Sequence, residues 1–234
     1  MSDIYQADRH NGAPEPYKWT KDFMEKFLKD AKASQNFEYY GGDTQYIYTV
    51  LKKFNLTGQS GMVIGSQDPW VEAILIVHGG VKKVITIEYN EIISEHPQIG
   101  YIHPVEMAKS YKENDPNFIH DFAFSFSSLE HPGLGRYGDH LDPEGDLKEL
   151  QKLHCLVKDG GLVFVGLPMG KDHIYFNIHR VFGKWRLPLI AANYEILGLY
   201  TTQQIEDVFG YLERNLQDQP ILVLRVNKNK LCSG

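Results

Sequence analysis

The stretch Gly61-Met-Val-Ile-Gly-Ser-Gln-Asp-Pro-Trp70, running on to Val84-Ile-Thr-Ile-Glu-Tyr-Asn90, decides the fold. Met62 to Ile64 reads as a short buried strand. Asp68 followed by Pro69 reads as a helix cap and first helical residue. The helix from Trp70 to His78 is apolar nearly all round, as expected of a helix pressed on a sheet and flanked by others. Gly79-Gly80 ends it. Val84 to Ile87 is then a second strand, parallel to the first through a right-handed crossover and closed by the acid Glu88.

The rest of the chain extends this βαβ unit. Tyr101-Ile102 is a weak third strand, Phe122 to Phe126 a fourth and Leu162 to Leu167 a fifth. Leu147, Leu150, Leu153 and Val157 recur at helical steps before the fifth. Tyr194 to Tyr200 is a further strand, Thr201 to Leu212 a helix and Ile221 to Val226 a last strand. Upstream, residues 1 to about 19 form a loose arm. Thr20 caps a helix bearing Phe23, Met24, Phe27, Leu28 and Ala31 on one stripe, and Asp43 starts a second helix with Tyr46, Ile47, Val50, Leu51 and Phe54 inward. The expected organisation is an N-terminal arm and helical extension over 1–58 and an α/β domain over 59–234, together one compact unit.

Composition excludes several classes. A chain of 234 residues that is 42% hydrophobic carries a full core, and a net charge of −6 spread along it gives no footprint for nucleic acid. The polar first twenty residues and the lack of a long apolar run predict no signal peptide and no membrane span. Cys155, in a predicted helix, and Cys232, in a polar tail, form no disulfide framework; a soluble, cytoplasmic protein is expected.

In an open parallel sheet, ligands bind beyond the carboxyl ends of the strands where strand order reverses. Gly65-Ser66-Gln67 falls there, ahead of a helix N-terminus that favours an anion. Glu88 stands where an acid takes both hydroxyls of a ribose. With one glycine in the turn, a pyrophosphate has little bare backbone to lie against, so NAD and FAD are disfavoured, and no Gly-Lys-Ser/Thr phosphate loop exists. A ligand with adenosine and a carboxylate but no phosphate suits the turn, which points to S-adenosylmethionine.

The element order, Glu88 and the block Val157-Lys-Asp-Gly-Gly161 resemble a class I S-adenosylmethionine-dependent methyltransferase, over roughly Gly61 to Val226. Ser125-Phe-Ser-Ser-Leu-Glu-His-Pro-Gly-Leu-Gly-Arg-Tyr-Gly-Asp139 and Asn177-Ile-His-Arg180 resemble, more narrowly, an uncharacterised domain-of-unknown-function family best known from nematodes. The resemblance implies a three-layer Rossmann-like α/β fold with a mostly parallel seven-stranded sheet, the final strand inserted antiparallel at one edge, and two added N-terminal helices. It also implies that Gly65, Ser66 and Gln67 face the methionine part of the cofactor, Glu88 with its neighbour Tyr89 the nucleoside, and Ser125 the methyl donor centre.

The segment from Ser127 to Asp146 concentrates ionisable groups in a loop leaving a strand's carboxyl end, the usual place for catalytic or substrate residues. His131 is the expected general base, oriented by Glu130 or Asp139; Arg136 is expected to hold an anionic group, and Tyr137 completes the catalytic set. Lys171 to Arg186 interleaves basic and aromatic side chains and reads as a lid or as a partly buried surface segment. The histidine spacing matches no standard metal-ligand pattern, and no Gly-x-Ser-x-Gly elbow supports a hydrolase. Methyl transfer to a small acceptor, anionic or aromatic, is the expected function. The alternative is a methyltransferase-like ligand-binding or scaffold domain without catalysis.

Overall fold

The computed structural model describes residues 15–37, 39–112, 118–215 and 218–229. In chain order its elements are β1 (Tyr17–Trp19), α1 (Lys21–Lys32), α2 (Thr44–Lys53), β2 (Ser60–Ile64), α3 (Trp70–Val77), β3 (Lys83–Ile87), β4 (Ile92–Ser94), β5 (Ile99–Ile102), α4 (Pro104–Lys112), β6 (His120–Phe126), α5 (Gly145–Leu156), β7 (Val157–Gly166), β8 (His173–Tyr175), β9 (His179–Val181), α6 (Leu187–Ile190), β10 (Tyr194–Tyr200), α7 (Val208–Leu212) and β11 (Ile221–Val226).

Seven strands form one sheet in the order β5-β3-β2-β6-β7-β11-β10. The five from β5 to β7 are parallel. β11 runs antiparallel to β7, and β10 antiparallel to β11. Alternating side chains pass to opposite faces of the sheet. Met62, Ala123, Val163 and Leu222 join one buried cluster with Leu150 and Leu153 of α5. Their neighbours Val63, Phe122, Phe164 and Val223 join the other, with Ile74 of α3, Phe27 of α1 and Ile47 of α2. Burial on both faces is why these strands read as continuous apolar runs.

The two N-terminal helices thus share their core with α3 and the sheet. Thr20 caps α1 as expected, its hydroxyl accepting from the Phe23 amide. Three expectations need correction. Residues 17–19 of the supposed loose arm pair in parallel with β4, and Trp19 is fully buried; residues 1–14 lie outside the described residues, as does Cys232. Asp68 makes no side-chain cap, α3 beginning after Pro69; α2 does begin behind Asp43, entered through a 3₁₀ turn at Gly41–Asp43. The helix expected over Thr201 to Leu212 shortens to Val208–Leu212, because Asp207 caps it by accepting from the Gly210 amide and the preceding residues bridge back to Tyr200. β7 also starts early, at Val157, with a break in register against β6 between His120 and Phe122.

Candidate functional site

Strand order reverses between β2 and β6, and a cleft of about 2490 Å³ opens over that end of the sheet. Gly65 leaves β2 with φ +73, and a Cβ there would fall 2.1 Å from the Ser128 hydroxyl. The turn therefore needs glycine both for its backbone and for the close approach of the loop after β6. Ser66 does not line the cleft. It is buried, with its hydroxyl 2.9 Å from the Asp68 carbonyl and 3.0 Å from Glu72 Oε2. Gln67 does line the cleft, and its carbonyl accepts from the buried Trp19 indole at 3.1 Å.

Glu72, which the sequence reading left aside, anchors this turn from beneath. It is fully buried in α3, and Thr86 Oγ1 donates to its Oε1 at 2.8 Å. Burial pushes its pKa up to about 7. A proton on Glu72 satisfies both oxygens near Ser66, whose hydroxyl has only one hydrogen to give. The lone acid in Trp70-Val-Glu-Ala-Ile-Leu-Ile-Val77 was the available signal. Because the folded-state pKa is raised, the folded chain holds a proton that the unfolded chain has lost, and stability falls as pH rises from about 4.5 to about 7. Glu72→Gln keeps both hydrogen bonds and cannot ionise. Its stability relative to wild type should therefore grow from under ~1 kcal/mol at pH 5 to as much as ~3 kcal/mol at pH 8. Urea denaturation at the two pH values measures this, and a pH-independent difference would refute it.

Glu88 follows β3, lines the cleft and is half-buried, which raises its pKa. The amides of Tyr89 and Asn90 donate to its Oε1 at 2.7 and 3.3 Å, fixing the carboxylate's direction. Tyr89 is 70% exposed and stands edge-on to His103, ring centroids 5.6 Å apart.

At the end of β6, Ser125 is fully buried within the sheet and absent from the cleft lining. The groups that do reach the cleft come next. Ser127 adopts φ +53; its hydroxyl donates to Glu130 Oε1 at 2.9 Å and accepts from Gln219 Nε2 at 3.2 Å. Tyr40 lies near the same serine, and burial pushes its phenol up to about 12. Glu130 is 1% exposed, and burial pushes its pKa to about 7. His131 donates Nδ1–H to the Ile178 carbonyl at 2.6 Å, leaving Nε2 3.5 Å from Glu130 Oε1. Although that separation would let an ion pair form, desolvation wins for both partners. The histidine falls to about 4 and is neutral at physiological pH.

The loop that follows is held by its own charges. Asp139 Oδ2 accepts from the Gly133 and Gly135 amides at 2.7 and 3.3 Å, and Oδ1 from the Tyr137 amide at 3.2 Å, so Asp139 shapes the loop and the Ile178 carbonyl orients His131. Arg136 donates to that same carbonyl at 3.2 Å and lies 5.4 Å from the Tyr137 ring centroid. Both residues line the cleft. Arg180, 1% exposed, reaches under the loop to the carbonyls of Pro132 and Asp142 at 2.5 and 3.1 Å. Its Nε is 3.5 Å from the fully buried Asp146, which Arg186 also grips. The 171–186 segment is therefore an anchored hairpin, β8 and β9, whose two arginines hold structure. Among the described residues, no three His, Cys, Asp or Glu side chains group as a metal site, and no helix is long and apolar enough to cross a membrane.

This strand order, with a parallel centre and an antiparallel last strand, is that of the Rossmann-like methyltransferase fold. The chain belongs to the family described as Caenorhabditis protein of unknown function, DUF268, whose model matches residues 58–225. Among solved structures it resembles the 1,6-didemethyltoxoflavin-N1-methyltransferase of Burkholderia thailandensis, solved with 1,6-didemethyltoxoflavin and S-adenosylhomocysteine bound. That match has TM-score 0.55 and 14% identity and covers 87% of each chain. It also resembles "Putative hemolysin from Streptococcus thermophilus", at TM-score 0.53 and 13% identity over 82% of this chain and 69% of that one. At these identities the likeness is one of fold. No curated protein matches the sequence.

Proposed function

We propose that the protein transfers a methyl group from S-adenosylmethionine to a small acceptor. The observation that supports this most is the cleft at the strand-order reversal, which brings Gly65, Gln67, Glu88 and Glu130 to one lining. The donor set fits the cofactor: a half-buried carboxylate oriented by two backbone amides suits a ribose, and the turn carries no cationic side chain of the kind that would select a phosphate. When bound, S-adenosylmethionine supplies a methyl carbon already made electrophilic by its sulfonium. The protein's part is then to orient and exclude water. Glu88 receives the ribose hydroxyls, the Gly65–Gln67 turn accepts the methionine part, and Tyr89 with His103 flanks the adenine. Ser66 and Ser125 act from beneath, by fixing the turn and the end of β6. On the acceptor side, Arg136 and Tyr137 position the substrate and Asp139 keeps their loop in shape. The pKa order favours Glu130 over His131 as proton acceptor, since a base titrating near 7 matches neutral pH and one near 4 does not.

A second reading, a ligand-binding domain without catalysis, draws on Ser128 standing against Gly65, which narrows the turn. Calorimetric titration with S-adenosylhomocysteine separates the two. Micromolar binding that weakens ~10- to 100-fold in Glu88→Ala, the cost of losing a charged two-acceptor contact, is the expected result. No heat at millimolar ligand would sink methyl transfer and leave the binding domain.

A further inference from the structure

Ser66, Ser125, Ser127 and Ser128 stand at or under the ligand end of the sheet, and the first three are already committed. Ser66 is tied to Glu72 and the Asp68 carbonyl, Ser125 is buried within the sheet, and Ser127 bonds Glu130 and Gln219. Ser128 is different. Its hydroxyl has no hydrogen-bond partner among the described residues, and the residue is half-buried and lines the cleft. Its position is fixed from two sides. Ile64 pairs with Ser125, so β2 and β6 end side by side and the chain leaves both toward the cleft. The Ser128 side chain then lies over Gly65: a Cβ on that glycine would fall 2.1 Å from Ser128 Oγ and 2.6 Å from Ser128 Cβ. A ligand resting on the backbone of the Gly65 turn therefore meets this hydroxyl.

We infer that the Ser128 hydroxyl holds the amino-acid end of S-adenosylmethionine by donating to its carboxylate. This rests on the methyl-transfer reading and adds to it a positioning residue from the loop that also carries Glu130 and His131. The chemistry suits the place. Gly65, Ser66, Gln67 and Asp68 bring no cationic side chain to a carboxylate, so neutral donors have to hold it. A hydroxyl is such a donor, and its hydrogen rotates to meet the acceptor. Ser66, the other hydroxyl of the turn, already gives its hydrogen beneath the cleft.

The test is calorimetric titration of the full chain with S-adenosylhomocysteine and with methylthioadenosine, which keeps the adenosine and the sulfur but lacks the amino-acid end. Ser128→Ala should weaken S-adenosylhomocysteine about tenfold, the scale of one hydrogen bond to a charged group. Methylthioadenosine should stay within about twofold of wild type. Glu88→Ala should instead weaken both ligands, because both carry the ribose. Removing the Ser128 hydroxyl leaves no protein group unpartnered, so the variant should unfold at the wild-type urea concentration. Equal losses on the two ligands, or no loss on either, overturn the assignment of Ser128 while methyl transfer stands. Tighter S-adenosylhomocysteine binding in Ser128→Ala does the same, and would show that the hydroxyl only obstructs the turn. A wild-type chain that binds neither ligand at millimolar concentration overturns the reading beneath it.

Discussion

Asp146→Ala should destabilise the chain by ~3–5 kcal/mol, the loss expected when one member of a buried ionic cluster is removed and its partners stay behind. Asp146 is fully buried in the first turn of α5, where a negative charge also suits the helix dipole. Arg186 donates to it through Nε at 2.8 Å and again through Nη2, and Arg180 lies 3.5 Å away. Without the carboxylate, Arg180 keeps a charge with 1% exposure and only carbonyl oxygens to face. The damage should spread to the loop that those carbonyls belong to, from Glu130 to Asp142, and so to His131. Lys148→Ala is the matched control: it breaks the exposed pair with Asp142 and should cost less than ~1 kcal/mol. Urea denaturation of both variants decides the matter, and an Asp146→Ala loss as small as the control's would show that the cluster contributes nothing net.

That cluster also explains what the sequence concealed. The density of ionisable groups between Ser127 and Asp146 reads as chemistry, but Asp139, Asp142 and Asp146 are spent on backbone amides, Lys148 and two arginines. Composition does not distinguish a charge that meets a ligand from one that folds a loop; only the partners do. The strands were legible for the opposite reason. Burial on both faces forces apolar runs, so Ile221 to Val226 was readable to the residue and Met62 to Ile64 and Val84 to Ile87 to within two, while the edge strand Tyr194 to Tyr200, exposed along its middle, was also readable to the residue. Glu88 was expected at the end of the second strand and lies there, lining the cleft. His131 was named as a base from its ordinary pKa, but the burial and the Ile178 carbonyl that hold it neutral come from segments distant in sequence. Ser125 followed a motif, yet it alternates with Phe124 and Phe126 in β6 and its side chain stays within the layers. The helix expected at Thr201 lost to a local competitor, the Asp207 cap six residues on.

Trp19→Ala should cost ~3–5 kcal/mol, as for other fully buried tryptophans truncated to alanine. The residue has no exposed surface and packs with Met24, Ile92 and Ile99 between β1, α1 and the strands beyond β3. The size of the loss tests the organisation of the chain. If residues 1–58 were an appendage, the α/β domain would unfold at an unchanged urea concentration while the N-terminal part melted earlier. If the extension and the sheet form one unit, a single transition moves as a whole, and the shared core of Phe27, Ile47, Ile74 and Phe122 argues for the single transition. Trp19→Phe then isolates the indole's second task. Phenylalanine retains most of the buried ring but cannot donate to the Gln67 carbonyl, so it should cost only ~1 kcal/mol of stability. Its larger effect should fall on S-adenosylhomocysteine affinity, because Gln67 belongs to the turn proposed to take the methionine part. A Phe variant that binds as wild type does would separate the N-terminal strand from the ligand turn, leaving Trp19 a packing residue alone.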